Sequence, residues 1–403
     1  MIHRPLIQLV AWCSLLSSSC LNAIAGDDAT WVEWDSSSDH VVSQTTDKSS
    51  AYPRCKVLSN GEVLLSYHHG DALGHFGSRI TLRKSRDGGK NWYSTIEVDG
   101  PEANDFWGFT NPDFVELGKG TVLLASSARG KAEPGQPIFA SECKRSELRL
   151  RFSDDFGASW GPPISVARGR GRLWEPSLVK LPNKGIEIYY ANEAPELANG
   201  SNLGQRIELI RSVDNGKTWS DPVIVSHHQG KRNGMPSAVV LKNGRVAVAE
   251  EIVGDSKSPW IAYTLNGSPI KKDEYAAQQS YGFGGAPFLL TTTQGNTLVA
   301  YHSSHEKQRA PNGAKVPWMF ATIWVQNGNF DAKSFGRASR PWPDRDPRTG
   351  AFYPSLMMKD ENTVVALASF ITQELDGSDR TVVRWIEGRL KTANTKQQGK
   401  KRP

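Results

Sequence analysis

Two acidic residues, Glu175 and Glu251, lie at the edges of apolar segments of this 403-residue chain. A pair of carboxyl groups can cleave a glycosidic bond when one is held protonated and the other ionised. The protonated group donates its proton to the leaving oxygen, and the ionised group attacks the sugar or activates water. The apolar neighbours Trp174, Pro176 and Met235 would raise the pKa of one carboxyl group by desolvation. We therefore expect Glu175 and Glu251 to form such a pair.

Other polar and aromatic side chains fall at comparable places and could bind a substrate. They are Arg54, His68, Trp107, Asn111, Asp113, Trp174, Asn192, Met235 and His302. Structural roles are the alternative: Arg54 could pair with Asp113 between repeats, and His68 could be satisfied within the interior. The histidines have no recognised metal-ligand spacing, so we expect neither a metal nor a cofactor.

A repeated unit must position these residues. Each unit begins at a proline, and successive prolines lie 59, 64, 60, 51 and 67 residues apart: Pro53, Pro112, Pro176, Pro236, Pro287 and Pro354. An apolar run, a turn and a second apolar run follow each proline, which is typical of a β-hairpin. A proline at the first residue of a strand removes no ladder hydrogen bond. Six units predict an all-β fold, a six-bladed β-propeller.

The return strands of these hairpins should converge on the same face as the prolines. The seventh residue past each turn, counted from a glycine or from Glu361 in the last unit, is polar in five of six units. These residues are His68, Ser127, Asn192, Glu251, His302 and Ala368. Because neighbouring strand residues point to opposite faces, this count favours Glu251 over Glu250 as the residue that faces the cavity.

A second motif, Ser-x-Asp-x-Gly-x-x-Trp, occurs three times, at Ser85–Trp92, Ser153–Trp160 and Ser212–Trp219. This is the Asp-box. Its Asp can bond its own backbone two residues on, its Gly can adopt a positive φ, and its Trp can pack as an apolar plug. We expect these boxes to shape turns rather than to act in catalysis, and their repetition supports the propeller.

The ends of the chain differ from the repeats. Residues 1–25 have a positive start, an apolar centre and the small-x-small sequence Ala23-Ile24-Ala25, which predicts a signal peptide. A lipid anchor at Cys20 is an alternative. We predict one catalytic domain over residues 26–390 and a basic, disordered tail over 391–403. The protein should thus be secreted or periplasmic, with no transmembrane segment.

The net charge of +6 arises mainly from the two ends, so the folded body is near neutral and no nucleic-acid partner is indicated. We expect a monomer that binds a carbohydrate. Cys55 and Cys143 are the cysteines outside the predicted signal, and the sequence leaves open whether they pair or stay separate.

With these repeats and boxes, residues from Tyr52 to Phe370 resemble the sialidase superfamily of six-bladed Asp-box propellers. That resemblance makes Tyr353 the counterpart of a sialidase's nucleophilic Tyr, Glu251 its helper and Arg54 a substrate-clamping Arg. The expected second Arg is missing, because residues 252 to 275 contain none. An anionic sugar would then lack a bidentate partner.

The chain is similar, more closely, to the exo-arabinanases of glycoside hydrolase family 93. The similarity lies in Trp174-Glu175-Pro176 and in Gly234-Met235-Pro236 ahead of Glu251. It implies Glu175 as acid/base, Glu251 as nucleophile and Tyr353 as a hydrogen-bonding orienter. We therefore predict a secreted retaining glycoside hydrolase, with arabinan as the best single substrate. The alternatives are a sialidase that uses Tyr353 and an Asp such as Asp71 or Asp113, and a non-catalytic propeller that binds glycan or protein.

Overall fold

The computed structural model confirms the six-bladed β-propeller. It describes residues 30–44, 48–71, 76–101, 106–131, 146–169, 171–183, 185–195, 204–253, 259–270, 275–276, 284–303, 321–343, 350–373 and 379–392. The predicted signal peptide, Cys20 and Cys143 lie outside these ranges. Cys55 is buried as a free thiol.

The chain begins with a strand that belongs to the last blade: β1, Thr30–Val41. Blade 1 follows, with β2 Ser49–Val57, β3 Val63–Gly70, β4 Phe76–Ser85 and β5 Ser94–Asp99. Blade 2 contains β6 Phe106–Gly118, β7 Thr121–Gly130, β8 Ser146–Ser153 and β9 Ile164–Gly169. Blade 3 contains β10 Leu173–Lys180, β11 Ile186–Asn192, β12 Arg206–Ser212 and β13 Val223–Ser226.

Blade 4 contains β14 Arg232–Val240, β15 Val246–Val253, β16 Trp260–Leu265, β17 Ser268–Pro269 and β18 Tyr275–Ala276, the last paired with β16. Blade 5 contains β19 Gly284–Thr291, β20 Thr297–Ser303, β21 Thr322–Gly328 and β22 Phe335–Ser339. Blade 6 contains β23 Ala351–Met358, β24 Thr363–Gln373 and β25 Asp379–Thr392, and β1 completes it.

The ring is closed by pairing between the two ends of the described chain. β1 runs antiparallel to β25, with Trp31 opposite Lys391 and Val32 opposite Leu390. Because β1 is the outer strand of blade 6, both ends of the described chain are joined in that blade, which holds the first and last blades together. β25 continues through Lys391 to Thr392, two residues that the sequence assigned to the tail.

Six hydrophobic cores lie between adjacent blades. The core between blades 1 and 2, for example, contains Leu64 and Leu82 from one blade and Phe109 and Phe114 from the next, all buried. Each central strand is therefore covered on both faces, which explains its continuous apolar sequence. The first strand of every blade contacts the first strands of its neighbours around the axis.

The Asp-boxes form the turns between the third and fourth strands of blades 1, 2 and 3. In the first box Ser85 Oγ accepts the Gly89 N–H at 2.9 Å, and Asp87 Oδ1 accepts the Asn91 N–H at 2.8 Å. The Asp therefore bonds the backbone four residues on, rather than two as the sequence suggested. Trp92 packs into the core between blades 6 and 1. The box thus ties its blade to the preceding one.

Candidate active site

The six repeat prolines lie inside the innermost strands, rather than at the first residue as predicted. Each follows a residue with a positive φ between 47° and 61°, and the ladder is interrupted there by a bulge. We call these six the bulge residues: Tyr52, Asn111, Glu175, Met235, Ala286 and Tyr353. A bulge accommodates a proline because the ladder hydrogen bond is already absent.

A positive φ costs a non-glycine residue roughly 1–2 kcal/mol, so this ring stores local strain. The bulge changes the direction of each side chain, so that side chains of several blades meet near the propeller axis. Tyr52, Met235 and Ala286 pack together there, with Tyr353 against them. Glu175 therefore lies on a ring of strained residues, which is where functional side chains are often found.

A second ring comes from the second strand of each blade. In each hairpin, the residue just before the bulge residue pairs with one residue of this second ring. We call these six the second-ring residues: His68, Ser127, Ala191, Glu251, His302 and Ser369. The sequence count was wrong in two blades, where it selected Asn192 and Ala368. Five residues separate the corresponding flanking strand pair of each hairpin, for example Lys180 and Ile186 in blade 3. Glycine is the fourth of these five residues in four hairpins, but Gly185 is the fifth and Glu361 the third. Counting from them shifts the register by one residue.

Asn192 consequently points away from the second ring. Its Nδ2 donates to Glu208 Oε2 at 2.9 Å, and its Oδ1 accepts the Ala194 N–H at 2.9 Å. These bonds stabilise the end of β11. The structure does not bring Asn192 to the carboxyl pair.

Glu175 and Glu251 come together beside Gly234, each fixed by a backbone amide of the next blade. Glu175 Oε2 accepts the Met235 N–H at 2.6 Å, and Glu251 Oε2 accepts the Ala286 N–H at 2.8 Å. A methyl group at Gly234 would lie 3.7 Å from both Glu175 Oε2 and Glu251 Oε1. The two oxygens are thus separated by no more than twice that distance, across a gap kept open by a glycine.

Burial sets the protonation of this pair. It raises the pKa of Glu175 to about 8, and repulsion from Glu251 adds to the effect, while the Met235 N–H and Arg232 act in the opposite direction. Burial also raises the pKa of Glu251, opposed by the Ala286 N–H and by Arg232. Because two close carboxylates resist joint ionisation, one shared proton remains near neutral pH, and Glu175 holds it.

Arg232 is a charged neighbour that the sequence analysis missed. Its Nη2 donates to Glu193 Oε1 at 2.9 Å and to Gln205 Oε1 at 2.6 Å. Gln205 Nε2 in turn donates to the Asn233 carbonyl at 2.7 Å, so this network braces the segment beside Gly234. A signal was present: Arg172 and Arg232 each stand four residues before a repeat proline.

Tyr353 lies next to the carboxyl pair. Its pKa is raised by burial and then by the charges of Glu175 and Glu251, and it is lowered by Arg129. Its ring is 5.5 Å from that of Tyr52 and 6.4 Å from that of His302. Burial lowers the pKa of His302 to about 4, so this imidazole is neutral at pH 7.

Trp107 and Trp174, the two tryptophans predicted to bind a substrate, enclose an arginine. The Arg129 guanidinium lies 4.3 Å from the ring centroid of Trp107 and 4.6 Å from that of Trp174. One face of each indole is therefore covered by a buried cation. The sequence analysis missed Arg129, although it lies two residues past Ser127 on the same side of β7.

Arg54 and Asp113 lie two residues past their bulge residues. They are therefore further along the central channel, which the innermost strands of the six blades line. Arg54 stacks on the Tyr52 ring at 4.0 Å and donates to the Pro53 carbonyl at 2.8 Å. Asp113 accepts the Leu178 N–H at 2.8 Å, which joins blades 2 and 3. Arg54 and Asp113 form no ion pair in the described part of the chain, so the pairing offered as their structural alternative is not observed.

The remaining predicted residues form the wall around the pair. His68 Nδ1 accepts the Asn111 N–H at 3.2 Å, so the proton of this buried imidazole is on Nε2. Met235 donates its N–H to Glu175, and its side chain packs with Tyr52 and Ala286 near the axis. Glu250 is buried on the opposite face of β15, where it accepts from Asn233 Nδ2 at 2.9 Å.

A separate cavity of about 230 Å³ lies beyond Arg54 and Asp113 in the channel. Apolar residues such as Met357 and Leu290 dominate its lining, and Lys56 and Asp113 lie 3.8 Å apart there. Its lining contains one carboxyl group, that of Asp113, and neither Glu175 nor Glu251. Across the described ranges, no three His, Cys, Asp or Glu side chains are grouped so as to hold a metal ion.

No protein-family model matches this sequence, and no curated protein matches it. Solved structures share the fold. A protein of unknown function from Dyadobacter fermentans has a TM-score of 0.67 at 19% identity, over 90% of this chain and 99% of that one.

Glycosidases are also among the structural neighbours. The family 93 α-L-arabinofuranosidase of Fusarium graminearum, solved with arabinobiose, has a TM-score of 0.58 at 20% identity, over 89% of this chain and 98% of its own. The NanB sialidase of Streptococcus pneumoniae, solved as a mutant, has a TM-score of 0.61 at 12% identity, over 87% and 70%. The fold predicted from the resemblance is therefore confirmed. Among the described residues, no helix is long and apolar enough to cross a membrane.

Proposed function

We propose that the protein is an exported, retaining glycoside hydrolase in which Glu175 is the acid/base and Glu251 the nucleophile. The observation that carries the proposal is the gap at Gly234, flanked by one oxygen of each carboxyl group. The raised pKa of Glu175 supports its role as the acid, because it keeps the proton that the leaving oxygen needs. Each carboxyl group is anchored through Oε2. This leaves Glu251 Oε1, which flanks the gap, for nucleophilic attack, whereas the Glu175 oxygen that flanks the gap is the anchored Oε2.

The reaction would proceed in two displacements. Glu251 Oε1 attacks the anomeric carbon while Glu175 gives its proton to the departing glycosidic oxygen, and a glycosyl ester forms on Glu251. Glu175, now ionised, takes a proton from water as that water attacks the same carbon, and Glu251 leaves as a carboxylate. This route needs carboxyl groups roughly 5–5.5 Å apart, which the upper bound on their separation permits.

The best single substrate is an α-1,5-linked arabinan cleaved from a chain end. Support comes from the Trp-Glu-Pro and Gly-Met-Pro tripeptides, and from structural neighbours named for arabinanase and arabinofuranosidase activity. A neutral sugar needs no arginine clamp, which fits the absence of Arg from residues 252 to 275.

The sialidase alternative receives less support. A sialidase of the predicted type needs an Asp acid beside Tyr353, but Asp71 is exposed and pairs with Lys48 at 2.6 Å. Asp113 is committed to backbone amides of blades 2 and 3. The raised pKa of Tyr353 also opposes its use as a nucleophile, since its proton is harder to remove.

The test is hydrolysis of a panel of arabino-, galacto- and sialo-oligosaccharides by the purified protein. For the substrate that is cleaved, Glu175→Gln should lose roughly 10²–10⁴-fold in kcat, since general acid catalysis contributes about that much. The loss should be smaller with a 4-nitrophenyl glycoside, whose leaving group needs little protonation. Glu361→Gln, on an exposed turn, is the control.

A failure to cleave any sugar, with unchanged glycan binding by Glu175→Gln, would favour the non-catalytic propeller. Tyr353→Phe separates the two enzymatic proposals. We expect it to keep most activity if Tyr353 orients the substrate, whereas a nucleophilic role would make the loss as large as that of Glu251→Gln.

A further inference from the structure

Most of the bulge residues donate their backbone N–H to a side chain of the preceding blade. In four blades that side chain occupies the second-ring position. Ser369 Oγ accepts from Tyr52 at 3.0 Å, and His68 Nδ1 accepts from Asn111 at 3.2 Å. Ser127 Oγ accepts from Glu175 at 3.2 Å, and Glu251 Oε2 accepts from Ala286 at 2.8 Å.

Blade 3 departs from this pattern. Its second-ring residue is Ala191, which pairs with Trp174 and is completely buried. An alanine side chain has no hydrogen-bonding group, so it cannot reach the N–H of Met235 in blade 4. That N–H donates instead to Glu175 Oε2, at 2.6 Å. The acid therefore occupies a bond that a second-ring side chain makes elsewhere.

We propose that Ala191 is a positioning residue for Glu175: by leaving the Met235 N–H available, it directs the carboxyl group beside Gly234 and fixes which oxygen faces the substrate. The effect of Ala191 on catalysis rests on the proposed function, in which Glu175 is the acid/base. Its geometric part concerns only Ala191, Glu175 and Met235, so the two can fail separately.

The pseudo-symmetry of the ring supplies the test variant. Ser127 and Ser369 show that a serine at this position reaches the next blade's N–H at 3.0–3.2 Å. Ala191→Ser should therefore bond Met235 and displace Glu175. The loss of a hydrogen bond to the ionised carboxylate then raises the pKa of Glu175 further.

Several groups act on Glu175 and stay in place in this variant. Glu251 and Glu193 raise its pKa, and Arg232 lowers it. Tyr353 and Tyr52 are the neighbouring phenols whose own pKa values respond to its charge. A change on replacing Ala191 alone can thus be assigned to the Met235 bond.

The experiment is a ¹³C NMR titration of the Glu175 carboxyl carbon in the full-length protein, together with a pH profile of kcat/KM on the best oligosaccharide. We expect Ala191→Ser to move the titration upward by roughly one unit and to lower kcat/KM about tenfold, because charge-assisted hydrogen bonds are the strong ones. Ala191→Gly, which also lacks an acceptor, should titrate like the wild type.

Ala247→Ser is the matched control: both alanines are completely buried, Ala191 in the core between blades 3 and 4 and Ala247 in the core between blades 4 and 5. It should leave kcat/KM per folded molecule unchanged. An unmoved titration in Ala191→Ser, or equal shifts in the Ser and Gly variants, would overturn the inference while leaving the proposed function intact. A moved titration in a protein that cleaves no sugar would support the inference and reject the function.

Discussion

Replacing Glu175 with Gln should stabilise the protein at alkaline pH while removing its activity. Burial raises the pKa of Glu175 from 4.5 to about 8 in the folded state. Between those values the unfolded chain releases the proton and the folded chain retains it. The folded state then binds more protons, so its stability falls as pH rises through this window.

The size of the effect follows from the shift. Each pKa unit corresponds to about 1.4 kcal/mol, so the ionised carboxyl group destabilises the fold by up to about 5 kcal/mol above pH 8. Glutamine keeps an oxygen that can accept the Met235 N–H and carries no charge. Glu175→Gln should match the wild type at pH 4 and exceed it progressively up to pH 8.

The assay is urea unfolding of the wild type and Glu175→Gln at pH 4, 6 and 8. Glu361→Gln removes a carboxyl group from an exposed turn and should follow the wild type at every pH. Parallel pH dependence of the wild type and Glu175→Gln would refute the argument that Glu175 is held protonated by burial.

Three further predictions concern the gap, the charge network and the turns. Gly234→Ala should abolish sugar cleavage, because its methyl group fills the space between the carboxyl groups and meets Gln205 Nε2 at 2.8 Å; Gly108→Ala, which meets a serine oxygen at 2.8 Å, should lose only stability in a thermal melt. Arg232→Met should shift the acid limb of the pH–rate profile upward, since Arg232 lowers the pKa of the nucleophile; an unchanged limb would contradict this. Asp155→Ala should destabilise by roughly 1.5–3 kcal/mol in urea with normal kcat, because it removes charged hydrogen bonds to Ser159; reduced kcat would assign the Asp-box a role in catalysis.

The propeller could be predicted from the sequence because its signals are local. Each hairpin carries its own turn residues, and each proline marks the same place in a blade. The closing strand could not be predicted in this way. β1 pairs with residues about 350 positions later, and its sequence TWVEWDSSSDHV contains no turn signal that would assign it to blade 6.

Glu175 and Glu251 could be selected because they sit at repeated positions, whereas the register around them could not. Gly185 is the fifth residue between its flanking strand pair and the other turn glycines are the fourth between theirs, a difference that a glycine count cannot detect. Arg129 and Arg232 were missed for another reason. Their positions in the repeat could have been noticed, but their role depends on what lies across from them in the next blade, and strand periodicity carries no information about that.

The most direct measurement of the central claim is the mass of the protein after incubation with an activated 2-deoxy-2-fluoro arabinofuranoside, followed by peptide mapping. We predict one added glycosyl group, on the peptide that contains Glu251, and none in Glu251→Gln. An adduct on Tyr353, or turnover to an inverted product without any adduct, would contradict the assignment of the two glutamates.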